Sequence, residues 1–228
     1  MAEAGVALPA AARIAAYGDQ LLTRNSELNL TGAKTADELI AHLLDSLTIA
    51  PLIGEDHVDI GSGGGLPAIP AALLSGVNVL LLEARAKKAA FLAEATACLG
   101  MRATVVAARA EDAARDAGYR ERFSTATARA VGHPATVAEL TLPFLQIGGR
   151  AILQRGIVPP DERAALDEAL LVLGGRIEDE RDVGLRHRLI IVAKIAPTPG
   201  RFPRRAGMPA KKPLGTRAFH GKPTGETE

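Results

Sequence analysis

The chain has 228 residues, is 47% hydrophobic, carries a net charge of +1 and holds one cysteine, which supports one sizeable core and excludes an internal disulfide framework. No apolar stretch reaches the roughly 18 residues needed to cross a bilayer, and the Ala-rich start lacks the basic leader of a signal peptide, so a soluble cytoplasmic protein is expected. The charge is unevenly spread: residues 197–228 hold seven Lys/Arg and two acids, for +5, while the body before them holds 20 basic and 24 acidic residues, for −4. A basic, Pro-rich arm on an acidic body suggests a polyanionic partner, against the blander alternative of a solvated tail.

In chain order, residues 9–30 predict a helix with Ile14, Tyr17, Leu21, Leu22 and Leu28 on a rough apolar face. Thr35-Ala-Asp-Glu38 is a capping box that opens a second helix over 36–50. A first strand is expected over 57–60, then a glycine-rich loop and a helix over 67–75. VNVLLLE is a second strand ending at Glu83, and ARAKKAAFLAEATACLG is a helix stopped by Gly100, with Cys98 read as a small buried residue. RATVVAARAED gives a third strand and a turn, FSTATARAV a fourth strand, 134–146 a helix and GGRAILQRG a fifth strand. PPDERAALDEALLVLGG is a helix with prolines at its start and glycines at its end, and RIEDERDV with RHRLIIVAKIA predicts a closing hairpin. Strands and helices alternate from 57 to 174, the pattern of a mostly parallel α/β sheet covered on both faces. The expected organisation is an N-terminal helical appendage (1–54), a Rossmann-like domain (55–196) and the basic arm (197–228).

VDIGSGGGLP, residues 58–67, places four glycines within five residues directly after the first strand. In open α/β sheets that loop is the first candidate for a ligand site. A P-loop needs GK[ST] where Leu66-Pro67 stands, and a dinucleotide fingerprint needs glycine where Leu66 stands. Asp59 would repel a pyrophosphate at this turn but suits an ammonium group. Glu83, at the end of the second strand, can accept from both hydroxyls of a ribose. Asp59, the G-x-G-x-G spacing and Glu83 together favour S-adenosylmethionine. An NAD-linked oxidoreductase and a non-enzymatic RNA-binding module are the alternatives.

The chain resembles the bacterial 16S rRNA guanine-N7 methyltransferases, the glucose-inhibited division protein B family. The resemblance is carried by Asn29-Leu-Thr31, His42-Leu-Leu-Asp45-Ser46, the stretch Asp59 to Pro67 continuing through Ile69-Pro70, Lys87 to Leu92, Ala110-Glu111-Asp112, Ala128-Arg129-Ala130, Leu142-Pro143 and the tail Arg201 to Leu214. Ala68, the pair Glu83-Ala84, the pair Arg155-Gly156 and His133 depart from the family's usual residues. The resemblance implies a class I methyltransferase fold, S-adenosylmethionine as cofactor and 16S rRNA, free or in the small subunit, as substrate. It implies cofactor contacts at Asp59, Gly61, Gly63, Gly65, Leu66, Glu83, Ala110, Glu111 and Arg129, with Arg129 positioning substrate rather than acting as a base.

Arg155, Arg201, Arg204, Arg205, Lys211 and Lys212 are the expected RNA contacts, and Phe202 and Phe219 the candidate stacking rings. Truncation after Thr198 is expected to spare cofactor binding. His42 and Asp45 share one helical face and are read as hydrogen-bonding or pocket-rim residues, no metal being expected. A monomer is expected.

Overall fold

The computed structural model describes residues 8–129, 132–184 and 187–216. The apolar runs become β1 (Asp56–Ile60), β2 (Asn78–Leu82), β3 (Ala103–Val106), β4 (Phe123–Arg129), β5 (Leu145–Arg155), β6 (Gly175–Asp182) and β7 (Arg188–Lys194). They form one sheet in the order β3-β2-β1-β4-β5-β7-β6. The first five strands are parallel, and β7 runs antiparallel between β5 and β6. The charged residues of GRIEDERD on β6 guard that edge against further pairing.

Around the sheet lie α1 (Leu8–Leu28), α2 (Ala36–Leu47), α3 (Ala68–Ser75), α4 (Ala86–Cys98), α5 (Ala110–Ala113), α6 (Pro134–Thr141), α7 (Pro160–Leu173) and α8 (Met208–Lys211). Thr35 caps α2 by accepting from Glu38 N at 3.2 Å, while Glu38 reaches back to Lys34 N at 2.7 Å. The helix expected to run to 146 stops at Thr141, and a 3-10 turn over Leu142–Phe144 leads into β5. Pro143 explains the stop: it supplies no N–H and its ring clashes with the preceding turn. No helix among the described residues is long and apolar enough to cross a membrane.

Alternate residues of the strands feed two apolar clusters. Val58, Ile60, Leu80 and Leu82 pack with α6 and α7 on one face. On the other face Val79 and Leu81 pack with Phe91 and Leu92 of α4, Ile69 of α3, and Ile14, Tyr17, Leu21, Leu39 and Leu43 of the first two helices. The expected N-terminal appendage therefore has no core of its own. Cys98 is also corrected: α4 turns Phe91, Leu92, Ala95, Thr96 and Leu99 inward, which leaves the cysteine exposed.

The largest correction concerns the arm. Residues 197–216 are folded onto the body, with Phe202 and Leu214 inside the first apolar cluster. Arg120 donates to Thr198 O at 2.7 Å and to Phe202 O at 3.0 Å, and Arg115 donates to Pro203 O at 2.6 Å. Lys194 is buried, donates to Leu142 O at 2.9 Å and to Thr198, and is lowered by burial to about 8. Arg204 forms a two-pronged bond to Glu139, Nε to Oε1 at 2.9 Å and Nη2 to Oε2 at 2.6 Å, and Glu139 is wholly buried in α6. Arg204 therefore braces this segment, which removes its guanidinium from the expected RNA contacts. Phe202 is likewise lost as a stacking ring. Phe219 lies outside the described residues.

Removing one partner of a buried ion pair strands the other. Glu139→Ala is expected to destabilise the protein by about 3 kcal/mol in urea unfolding, and to expose 197–216 to proteolysis before the body. Wild-type stability in that variant would show the pair to be dispensable.

Candidate active site at the carboxyl edge of the sheet

The loop after β1 is fastened from three sides. Gly61 N and Ser62 N donate to Leu82 O at 2.8 and 3.0 Å. Glu83 Oε2 accepts from Gly63 N at 2.9 Å, and its Oε1 accepts from Arg85 N at 2.7 Å. Tyr17, fully buried in α1, donates its hydroxyl to Gly64 O at 2.6 Å.

The loop glycines divide their work. At Gly63, with φ of 57°, an added Cβ would meet nothing nearer than Gly61 O at 3.8 Å, so the conformation and the open approach both call for glycine. At Gly64 a Cβ would strike Leu30 O at 2.7 Å, and at Gly65 it would strike Ile69. Those two glycines let α1 and α3 pack tightly.

A cavity of about 190 Å³ opens above β1, β2 and β3, lined by Gly61, Glu83, Ala84, Ala108, Arg109, Ala110, Glu111, Thr136, Leu140, Gly207 and Ala210 among others. Four of the expected cofactor residues meet there: Gly61, Glu83, Ala110 and Glu111. Gly63, Gly65 and Leu66 belong to the loop but not to that lining, and Leu66 packs against the second apolar cluster.

Asp59 lies beneath the loop, 1% exposed. Its Oδ1 accepts from Thr127 at 2.7 Å, and its Oδ2 has no hydrogen-bond partner. Burial pushes its carboxyl up to about 6, against the pull of Thr127, Ser62 and Arg129. His57, two residues back on the same face, holds Thr125 at 2.9 Å through Nδ1 and Thr127 at 2.8 Å through Nε2. Burial lowers it to about 3.

A second cavity, of about 270 Å³, lies across Arg129 above β4, β5 and the start of β7. It is lined by His42, Asp45, Arg129, Gly132, Gln154, Arg155, Gly156 and His187. Asp45 is buried, with Oδ1 at 2.9 Å from His187 Nδ1 and Oδ2 at 3.5 Å from Arg129 Nη1. Arg129 also reaches Ser46 Oγ at 3.4 Å. His42 is held by Thr31 at 3.0 Å and lowered by burial, with Arg129 adding to the effect. His133 caps α6 by accepting from Ala135 N at 3.2 Å, and burial lowers it as well. Arg155 donates to Gly132 O at 2.7 Å and lies 3.6 Å from Glu162. Arg201, Arg205, Lys211 and Lys212 are exposed on the C-terminal segment that walls the first cavity.

Several of these residues were not reached from the sequence: Thr136, Leu140, Gly207 and Ala210 in the first cavity, Gln154 and His187 in the second, and His57, Thr125 and Thr127 beneath them. Only the Thr-x-Thr alternation on the fourth strand signalled a polar face, and its partner follows from the pairing of His57 with Thr125 and Asp59 with Thr127.

The family model for rRNA small subunit methyltransferase G matches residues 10–188. The ribosomal RNA small subunit methyltransferase G of Dehalococcoides mccartyi is 41% identical over 209 residues, covering 87% of this chain and 89% of the relative. That of Synechococcus elongatus is 42% identical over 209 residues, covering 86% of each. Among solved structures, the mitomycin 7-O-methyltransferase MmcR superposes with a TM-score of 0.54 at 16% identity, covering 68% of this chain and 54% of the other. The archaeal fibrillarin pre-rRNA processing protein of Methanococcus jannaschii superposes with a TM-score of 0.52 at 16% identity, covering 62% and 67%. These two likenesses are of fold.

The C-terminal segment reaches the first cavity directly, with Gly207 N donating to Glu111 Oε1 at 2.8 Å and Gly207 and Ala210 in the wall. The expectation that truncation after Thr198 spares cofactor binding is therefore reversed. The shortened protein is expected to bind S-adenosylmethionine at least tenfold more weakly by calorimetry and to melt at lower temperature. Unchanged affinity would place the ligand elsewhere.

Proposed function

Because the chain belongs to the rRNA small subunit methyltransferase G family, we propose that it transfers the methyl group of S-adenosylmethionine to N7 of a guanine in 16S ribosomal RNA. Membership in a methyltransferase family sets aside the oxidoreductase and the non-enzymatic readings. The observation that carries the proposal is the pair of cavities at the carboxyl edge of one sheet, one beside the glycine loop and Glu83, the other lined by Arg129.

The first cavity fits the cofactor. Glu83 offers carboxylate lone pairs beside Gly61, where a ribose would lie, and Ala110 with Glu111 forms the wall for a flat base. Beneath the loop, outside the lining of either cavity, the unpartnered Oδ2 of Asp59 is the acceptor assigned to an ammonium group in this reading. When bound there, S-adenosylmethionine supplies an electrophilic methyl group. The second cavity receives the target base, and Arg129 is in its lining.

Guanine N7 carries a free lone pair, so no proton has to leave before attack. The residues therefore have to align the two reactants and exclude water, a contribution worth several orders of magnitude in rate. A target in an unpaired region is favoured, since unstacked RNA bases are far easier to enclose than paired ones. In this reading the exposed Arg201, Arg205, Lys211 and Lys212 meet the phosphates around it, and their contribution falls with salt, while Arg155 is engaged by Gly132 and Glu162.

The reading is tested by mass spectrometry of 16S rRNA from a strain lacking the gene, before and after incubation with the protein. The expected product is 7-methylguanosine, and methyl on another guanine atom would overturn the assignment.

The pH dependence is specific. Asp59 must be ionised to hold an ammonium group, and its carboxyl stands at about 6. Affinity for S-adenosylmethionine is therefore present above that value and is lost as pH falls through it, approaching tenfold per pH unit. Calorimetry between about pH 5 and 7 should show this slope in the wild type and none in Asp59→Asn. A slope shared by both proteins would show that another group titrates.

A further inference from the structure

The second cavity contains two buried acceptors without a hydrogen bond, one of them, Asp45 Oδ2, in a 3.5 Å ion pair with Arg129. Gln154 is 2% exposed and Asp45 4%, and Gln154 Oε1 and Asp45 Oδ2 have no hydrogen-bond partner. Both residues line the cavity. The orientation of the Gln154 amide follows from its bond: Nε2 donates to the Asp45 carbonyl at 3.0 Å, which leaves Oε1 facing the other way. A buried acceptor without a donor costs free energy, and a ligand that brings donors recovers it.

We propose that Asp45 and Gln154 select guanine by its Watson–Crick edge: Asp45 Oδ2 accepts from N1–H and Gln154 Oε1 from the N2 amine. The inference rests on the methyl transfer to guanine N7 described above. Its geometry follows from the order of groups around the purine, which runs N7, O6, N1, N2. N7 must face the cofactor cavity. Arg129, in the cavity lining, donates to O6. Asp45 lies next to it, at 3.5 Å. Gln154, the register partner of Arg129 on β5, is held against Asp45 by its Nε2 and so borders both.

Adenine fails this test twice, because its N1 is an acceptor opposite a carboxylate and it has no amine at C2. Cytosine and uracil have no N7. Inosine is the informative probe: it keeps N7, O6 and N1–H and lacks only the N2 amine.

The experiment measures single-turnover methylation of 16S rRNA ligated to carry guanosine or inosine at the target position. It uses wild type, Gln154→Met, Gln154→Glu and Asp45→Asn, with calorimetric S-adenosylmethionine binding and thermal unfolding to report folding. Wild type should prefer guanosine on the order of 10- to 100-fold. Gln154→Met should bring that ratio close to one, and Gln154→Glu, which restores an acceptor, should recover a preference. Asp45→Asn should slow both substrates on the order of 100-fold and keep the ratio, since it sets an amide donor or a weaker acceptor against N1–H.

A merely structural role for Gln154 would lower both rates in Gln154→Met without moving the ratio. One for Asp45 would lower the melting temperature and S-adenosylmethionine affinity of Asp45→Asn together with its rates, where the assignment expects both to stay at wild-type values. Equal wild-type rates on guanosine and inosine would overturn the assignment, whatever the variants do. So would a Gln154→Met protein that keeps the preference, or an Asp45→Asn protein that works at the wild-type rate. Wild type that makes no 7-methylguanosine at all would instead overturn the underlying reading, and this inference with it.

Discussion

A carboxylate buried between two strands sets the terms for this edge of the sheet. Ionised Asp59 can only accept, so the Thr127 hydroxyl must spend its proton on Oδ1 at 2.7 Å. Thr127 can then only accept from His57, which fixes the proton of that imidazole on Nε2. His57 Nδ1 is left as an acceptor and takes the hydroxyl proton of Thr125, whose oxygen in turn accepts from Gly54 N at 3.0 Å. Every donor in the chain points towards Asp59. The neutral His57 is part of that order, since a protonated ring would have two donors and reverse one bond. Burial holds it neutral by lowering it to about 3. The outcome is a carboxylate aimed by one oxygen, with the other unpartnered.

Three distant parts of the chain converge above this carboxylate. The glycine loop supplies the floor, but its shape depends on α1 through Tyr17 and Gly64 and on β2 through Glu83. The far wall is closed by the C-terminal segment through Gly207 and Glu111. That segment is held in turn by Arg204 and Glu139, which lie 65 residues apart in sequence. The loop and the first cavity are thus an assembly of α1, the sheet and the C-terminal segment. Loss of either end should be felt at the loop as well as in the packing.

The order of strands and helices was legible because each apolar run is short and bounded by turn residues, and the glycine loop with Glu83 was legible because both stand at strand ends. The C-terminal segment was not, for a physical reason. Its composition, rich in Pro, Lys and Arg, is that of a disordered arm, and composition is blind to the few apolar anchors, Phe202 and Leu214, that seat it. The complementary signal was Glu139, a single acid in the apolar helix PATVAELT. A buried acid demands a partner, but nothing local says that the partner is Arg204. Asp45, Gln154 and His187 were illegible as a group for a related reason. They meet only because β5 and β7 are neighbours and α2 crosses above them, and that order comes from the tertiary fold. Cys98 failed at a finer scale, since one step around a helix decides between the inward and the outward face.

The acid–base chemistry of the two cavities suits a reaction that moves positive charge and no proton. His42, His57 and His133 are all lowered, chiefly by burial, so none is poised as a strong base near neutrality. Asp59 is the carboxyl raised towards neutrality, but one of its oxygens is already engaged by Thr127. Charge is the harder requirement. The proposed methyl transfer carries a positive charge from sulfur onto the guanine, and a bare guanidinium beside the base would oppose its arrival. Arg129 is not bare, because Asp45 lies 3.5 Å away with its side chain buried. The pair is close to neutral as seen from the base. In the proposed reaction Arg129 can therefore donate a hydrogen bond to the base while the transferred charge meets little net repulsion.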